Sequence, residues 1–233
     1  MAVNNAAAWS DFRPSAFVCS DPPMKFHSGI WLDPAVMKFI PLPKLKGGRG
    51  VLRIKDEDGR FFKANCSACH CPNVWGFLRR NWMELDETFF TEQAAAWGNL
   101  DEGVMRTRLS KTVNTMLLGI RLLYYLGARQ IFLVGCDFNM TAGTAYAFDQ
   151  NKEEGGCSSN NDQYRNVNEW LTIMQQKGIF SQFGLSIMNT TMTSQLEAFP
   201  KIPFSDAVQI SLKGFPKCPL DNSGWYEKTV NEE

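Results

Sequence analysis

In RQIFLVGCDFNM, residues 129–140, an Asp stands directly behind an apolar run, and YAFDQN opens with a Tyr at position 146. An acid placed like Asp137 can cap the next helix, anchor a loop or meet a ligand. To serve as a general base it needs a pKa lifted from the ordinary value of about 3.9, which burial can do. Asp149 and Asp162 offer the same chemistry and are equally at home as caps or loop anchors. Tyr146 and Tyr164 carry phenols able to donate a hydrogen bond. Other polar residues also stand behind apolar runs: Asn4 and Asn5 in VNNAA, Ser20 and Asp21 in FVCSDPP, and Asn189 in LSIMNTT. SDPP is not a D-x-D pair, so no metal site is assigned to Asp21.

NCSACHCPN holds a second group, Cys66, Cys69, His70 and Cys71. C-x-x-C-H is the attachment motif of c-type haem, which requires export, and no export signal opens the chain. For zinc, C-x-x-C with a neighbouring His or Cys supplies three ligands and Cys157 a fourth. Cys69, His70 and Cys71 are adjacent, however, and do not easily all reach one ion. The reading adopted is a reduced cysteine-rich turn, with no metal assigned.

These residues need elements to position them. AFVCSDPP is a short apolar run stopped by Pro, hence a buried strand over 16–19. DPAVMKFIPLP gives a helical turn and a second apolar run. VLRIK, followed by DEDG, suits a hairpin. SKTVNTMLLGIRLLYYLGARQ has a polar start, apolar residues at steps of three and four, and a stop at Gly127, which predicts a helix over about 112–126. QIFLVG predicts a central parallel strand over 131–136. NKEEGGCSSNNDQ reads as a loop. YRNVNEWLTIMQQKG predicts a helix over about 164–177, with Val167, Leu171 and Met174 inward. LSIMN predicts a strand over 185–189, and MTSQLEAFP the start of a short helix. NVWGFLRRNWMELDETFF is read as a helical core face, or as a lid that binds an acceptor. Helices alternating with apolar strands imply α/β architecture: a doubly wound, mainly parallel sheet with an irregular, Cys-containing insertion or lid at about 46–100, all within one domain over 1–233. In such sheets ligands lie beyond the carboxyl ends of the strands.

Composition supports a sizeable core, with 44% hydrophobic residues and 17 Phe among 233. Lys plus Arg (24) balance Asp plus Glu (24) and are interspersed, which argues against nucleic acid as the main partner. No run reaches the roughly 18 apolar residues of a membrane-spanning helix. Seven cysteines without an export signal fit reduced thiols and a cytoplasmic location. The opening MAVNNAAAW reads as the end of a strand without a lead-in, so the chain either starts abruptly or lacks an upstream segment.

LLYYLGARQIFLVGCDF followed by YAFD resembles the nucleotide-binding half of the bacterial lipooligosaccharide sialyltransferases and of the related motility-associated-factor glycosyltransferase-like proteins. SIMNTTMTSQLEAFP is similar to the Asn-rich strand end of the second group, and VNNAA and FVCSDP to its second and third strands. The likeness is good over about 105–200, thin over 1–45 and absent over about 46–100. It implies a Rossmann-like fold of glycosyltransferase-A-like type that binds a nucleotide sugar, a CMP-sugar being the first guess, and transfers the sugar to a glycan acceptor with no further cofactor. Oligomers occur within the expectation. By this resemblance Asn4 and Thr115 line the donor site, Asn139 stands where a phosphate-contacting Tyr is expected, and Tyr146 and Tyr164 donate to the departing phosphate; the strand-end positions add Asn5, Asp21 and Asn189 to the binding residues and Asp137 to the chemistry. Tyr164 belongs to a loop that closes over the donor. The sequence departs from the family in three places: the first strand with its Gly-rich turn has no counterpart, Asn139 replaces a second phosphate-contacting Tyr, and YRNVNEW lacks the general-base His. His27 and His70 lie far from it in sequence, leaving Asp137, Asp149 or Asp162 as base. Two alternatives remain open, a pterin pyrophosphokinase-like phosphotransferase using Mg²⁺ and a non-catalytic nucleotide-sugar-binding protein.

Overall fold

Three parallel pairings build the main sheet, in the order β1 (Ala2–Val3), β2 (Ala16–Val18), β3 (Met37–Pro41) and β6 (Val74–Phe77). The computed structural model describes residues 1–8, 13–45, 50–55, 61–77, 114–141 and 154–213. Between β3 and β6 lie the short α2 (Leu42–Leu45) and an antiparallel hairpin, β4 (Val51–Lys55) and β5 (Phe61–Ser67). The hairpin is the one VLRIK and DEDG announce. The 46–100 segment, read from the sequence as an irregular insertion or lid, nevertheless contributes a strand to the sheet. Its residues 74–77 pair in parallel with β3 and extend the sheet, because VWGF is an extended aromatic run and not a helical face.

Alternation along the strands buries both faces, the expected behaviour of parallel strands. Phe17 and Ile40 point into a core with Phe26, Trp31 of α1 (Ser28–Leu32), Leu52 and Cys71. Val18, Val3 and Phe39 point into the opposite core. That second core is filled by α3 (Thr115–Tyr125), whose residues 115–122 are all buried. Gly119 lets α3 lie close, since a Cβ there would stand 3.6 Å from Val18 and 3.7 Å from Val3.

Past α3, Gly127 (φ 96°) ends the helix as the sequence suggests. A second parallel pair follows, β7 (Gln130–Leu133) with β8 (Ser186–Asn189), in register Ile131 to Ile187 and Leu133 to Asn189. These strands share α3's core. The crossover between them is α4 (Glu154–Gln176) and the single turn α5 (Ile179–Gln182). Val167, Leu171 and Met174 are fully buried on α4, as their spacing predicts. Three differences from the sequence reading stand out. β7 is not the central strand expected, since among the described residues it pairs with β8 alone, and it ends at Leu133 and not at 136, because Val134 is exposed and Gly135 turns left-handed (φ 67°). α4 starts ten residues before Tyr164 and absorbs GGCSSNNDQ, which reads as loop from its polar composition. Residues 192–200 form turns, and the last helix is α6 (Phe204–Leu212), behind Pro203. Among the described residues no helix is long and apolar enough to cross a membrane.

Candidate functional site

The main sheet and the second strand pair meet at the first turn of α3. Ser20, two residues beyond β2, places its Oγ 2.9 Å from Oγ1 of Thr115, the first residue of the helix. Cys136, three residues beyond β7, places its Sγ 3.8 Å from Met116 Sδ. Both contacts lie at the carboxyl ends of their strands, so one edge gathers the residues behind β1, β2 and β7. Asn114 fixes the helix start: with φ −87° and ψ 133° it accepts a hydrogen bond from the Met116 amide at 2.8 Å through its side chain. The Thr115 amide, first in the helix, has no intrahelical acceptor by construction. An amide, a hydroxyl pair and the positive end of a helix dipole are the components of an anion site.

Asn4 begins the 3-10 turn Asn4–Ala8 directly behind β1 with φ 53°. Its Oδ1 is buried and finds no donor among the described residues. A buried carbonyl left so costs on the order of 1–3 kcal/mol. Of Asn5, only the backbone lies within the described residues. Asp21 is half-exposed and stands 3.4 Å from Lys25 Nζ.

The loop behind β7 is held by residues that follow β8. Asp137 O accepts from the Gln195 amide at 2.8 Å and from Ser194 Oγ at 3.3 Å. The Asp137 side chain is exposed. Phe138 (φ 57°) turns inward and stacks on Tyr164, with ring centroids 4.9 Å apart and planes at 27°. Tyr164 is therefore a half-buried residue of α4 and not part of a closing loop, a correction that follows from the early start of that helix. Asn139 is exposed. Asn161 clasps the same loop in both directions, accepting from the Met140 amide at 2.8 Å and donating to Met140 O at 2.9 Å. Sequence reasoning missed Asn161, although the Asn-Asn pair behind GGCSS was its signal. Asp162 is exposed and ion-paired with Arg165. Tyr146 and Asp149 lie outside the described residues.

Asn189, at the end of β8, is fully buried. Its Oδ1 accepts from the Thr191 amide at 3.0 Å, while its Nδ2 finds no acceptor among the described residues. Burial pushes the Cys136 thiol up to about 12, helped by the charge of Asp137. Burial, with the charge of Asp21, likewise raises Cys19 well above its ordinary value. The edge thus carries neutral thiols and hydroxyls beside two carboxylates, the exposed Asp137 and the half-exposed Asp21.

The cysteine group lies elsewhere. Lys38 stands near the amino end of β3, fully buried, and donates to Asp33 O and, at 2.7 Å, to Pro72 O. Cys71 packs on the same face. Burial lowers the Lys38 pKa against the opposing pull of Cys71 and Asp33. Cys157 is buried on α4. Among the described residues, no three His, Cys, Asp or Glu side chains are grouped to hold a metal ion.

Comparison with protein-family models gave no match, and none was found among the curated proteins or the solved structures.

Proposed function

We propose that the carboxyl edge at β1, β2 and β7 binds a nucleotide sugar, and that the chain is a glycosyltransferase-like protein of doubly wound, Rossmann-like build. The observation that carries this reading is the return of α3. The chain moves outward through β1, β2, β3 and β6, then comes back over β1 and β2 to start β7 and β8. Ligands in open α/β sheets settle where the strand order reverses, beyond the carboxyl ends. The Ser20–Thr115 hydroxyl pair sits where α3 returns over the sheet, beyond the carboxyl end of β2. Asn4 adds a buried carbonyl oxygen for which a sugar hydroxyl or a base amine is a suitable donor.

In this reading the donor phosphate lies on the first turn of α3, held by the Thr115 amide and the two hydroxyls. Displacement at the anomeric carbon leaves charge on the departing phosphate, and groups fixed before reaction stabilise it most effectively. The Tyr164 ring stacks on Phe138, the residue after Asp137, and the exposed Asp137 carboxylate, without the burial a general base needs, can accept a hydrogen bond from a glycan acceptor. CMP is the first base to try.

A thermal-shift series with CMP-, UDP- and GDP-sugars, each with and without Mg²⁺, tests the proposal. A shift with one class of sugar nucleotide, independent of Mg²⁺ and lost in Thr115→Val, is expected. A shift that requires Mg²⁺ points to phosphoryl transfer, and no shift with any donor refutes the reading. Binding without sugar transfer identifies a non-catalytic donor-binding protein.

A further inference from the structure

The cysteine group has a feature that neither metal binding nor simple packing requires. Cys66 is the last residue but one of β5, and the 3-10 turn Ala68–His70 brings Cys71 back beside it. The two thiols share one acceptor, Ser67 O, at 3.7 Å from Cys66 Sγ and 3.8 Å from Cys71 Sγ. Cys69 is exposed, with its Sγ donating to Ser67 Oγ at 3.2 Å. The turn is anchored on three sides: Cys71 N donates to Ala68 O at 3.1 Å, and Ala68 N and Ser67 Oγ both donate to Gly50 O, at 2.8 and 3.2 Å.

We infer that Cys66 and Cys71 are a redox pair, a dithiol that closes to a disulfide by exchange with a small disulfide such as oxidised glutathione. Two sulfurs held on one carbonyl need only a local approach to reach the S–S distance of about 2.05 Å. Cys66 is half-buried and open to attack an external disulfide, while Cys71 is buried and suited to resolve it. In the first step the Cys66 thiolate attacks one glutathione sulfur, forming a mixed disulfide and releasing a glutathione thiolate. In the second, the Cys71 sulfur attacks Cys66 Sγ, and the Cys71 proton passes to the departing glutathione sulfur. The pair loses two electrons and two protons, and the oxidant becomes two reduced glutathiones. The buried Lys38 ammonium sits near Cys71 and favours its transient thiolate, whereas burial and the neighbouring Cys66 hold the resting thiol protonated, at about 11. This assignment concerns the amino side of the sheet and stands apart from the nucleotide-sugar reading.

Differential labelling of the full 233-residue chain tests it. The protein is equilibrated in glutathione buffers of rising disulfide fraction, free thiols are blocked with iodoacetamide, and bridged thiols are reduced and marked with N-ethylmaleimide. The expected pattern is maleimide on Cys66 and Cys71 together and acetamide on Cys69, with Cys69→Ser leaving the bridge intact. Acetamide on Cys66 and Cys71 at the most oxidising buffer overturns the inference, as does a bridge that includes Cys69. Stoichiometric zinc in protein purified without chelator, protecting all three thiols, also overturns it.

Discussion

Ser20 Oγ and Thr115 Oγ1 lie 2.9 Å apart and join the strand end of β2 to the first residue of α3 across 95 positions of sequence. Thr115 is 7% exposed, so this hydroxyl contact is nearly withdrawn from water. Such a bond contributes about 0.5–1.5 kcal/mol net, and a coupling of that size is measurable by a double-mutant cycle. Thr115→Val and Ser20→Ala should each lower stability in urea, with the double variant less destabilised than the sum. Ser20 makes a further interaction, so its single variant should cost more than the coupling alone. Strict additivity would show that the two hydroxyls do not interact.

Gly119 offers a test with the opposite sign. A methyl there meets Val18 and Val3 at ordinary contact distance, and the helix gains propensity. Gly119→Ala should stabilise the protein by about 0.5–1 kcal/mol. A lower midpoint in urea would mean that α3 has to move away from β1 and β2.

The Phe138–Tyr164 stack separates scaffold from chemistry. Tyr164→Ala removes the ring contact and should cost about 2 kcal/mol or more, given the usual 3–5 for deleting a buried aromatic and the partial exposure here. Tyr164→Phe keeps the ring and should cost less than Tyr164→Ala. If the phenol meets the donor phosphate, the same change weakens sugar-nucleotide binding roughly tenfold, the equivalent of 1.4 kcal/mol. Unchanged binding in Tyr164→Phe would assign the residue to packing alone.

Alkaline pH should unfold the chain through its buried thiols. Cys136 is raised to about 12 and Cys71 to about 11, both from 9.0. Above pH 9 the unfolded thiols therefore release protons that the folded ones keep, and stability falls as pH rises, by at most about 1.4 kcal/mol per pH unit for each thiol. Lys38 works in the other direction. Its folded pKa is lowered from 10.5 by burial, so the unfolded chain binds more protons and stability gains as pH rises towards 10.5. With several thiols against one Lys, the net slope is negative. Cys136→Ala should flatten the fall between pH 9 and 10.5, measured as the urea midpoint against pH. An unaltered slope would mean that the Cys136 thiol titrates alike in both states.

Local signals carried much of the fold. The apolar runs at 16–18, 37–41 and 186–189 became buried strands because few other structures accommodate a short apolar β-branched or aromatic run bounded by Pro or polar residues. Gly127 and Gly178 stopped their helices because both need a left-handed backbone. Val167, Leu171 and Met174 showed the inner face of α4. The start of that helix was hidden, since EGGCSSNNDQ has low helix propensity, and the clasp of Asn161 on Met140 is a tertiary contact that no local pattern contains. The joining of 74–77 to the sheet was equally invisible. VWGF alone does not reveal that the open edge of β3 awaits a strand. At the edge site, the sequence named Thr115, Asn4 and Asp137 separately. Only the path of α3 over β1 and β2 brought Thr115 to Ser20 and Met116 to Cys136, because contacts between residues 95 and 20 positions apart depend on packing and not on spacing.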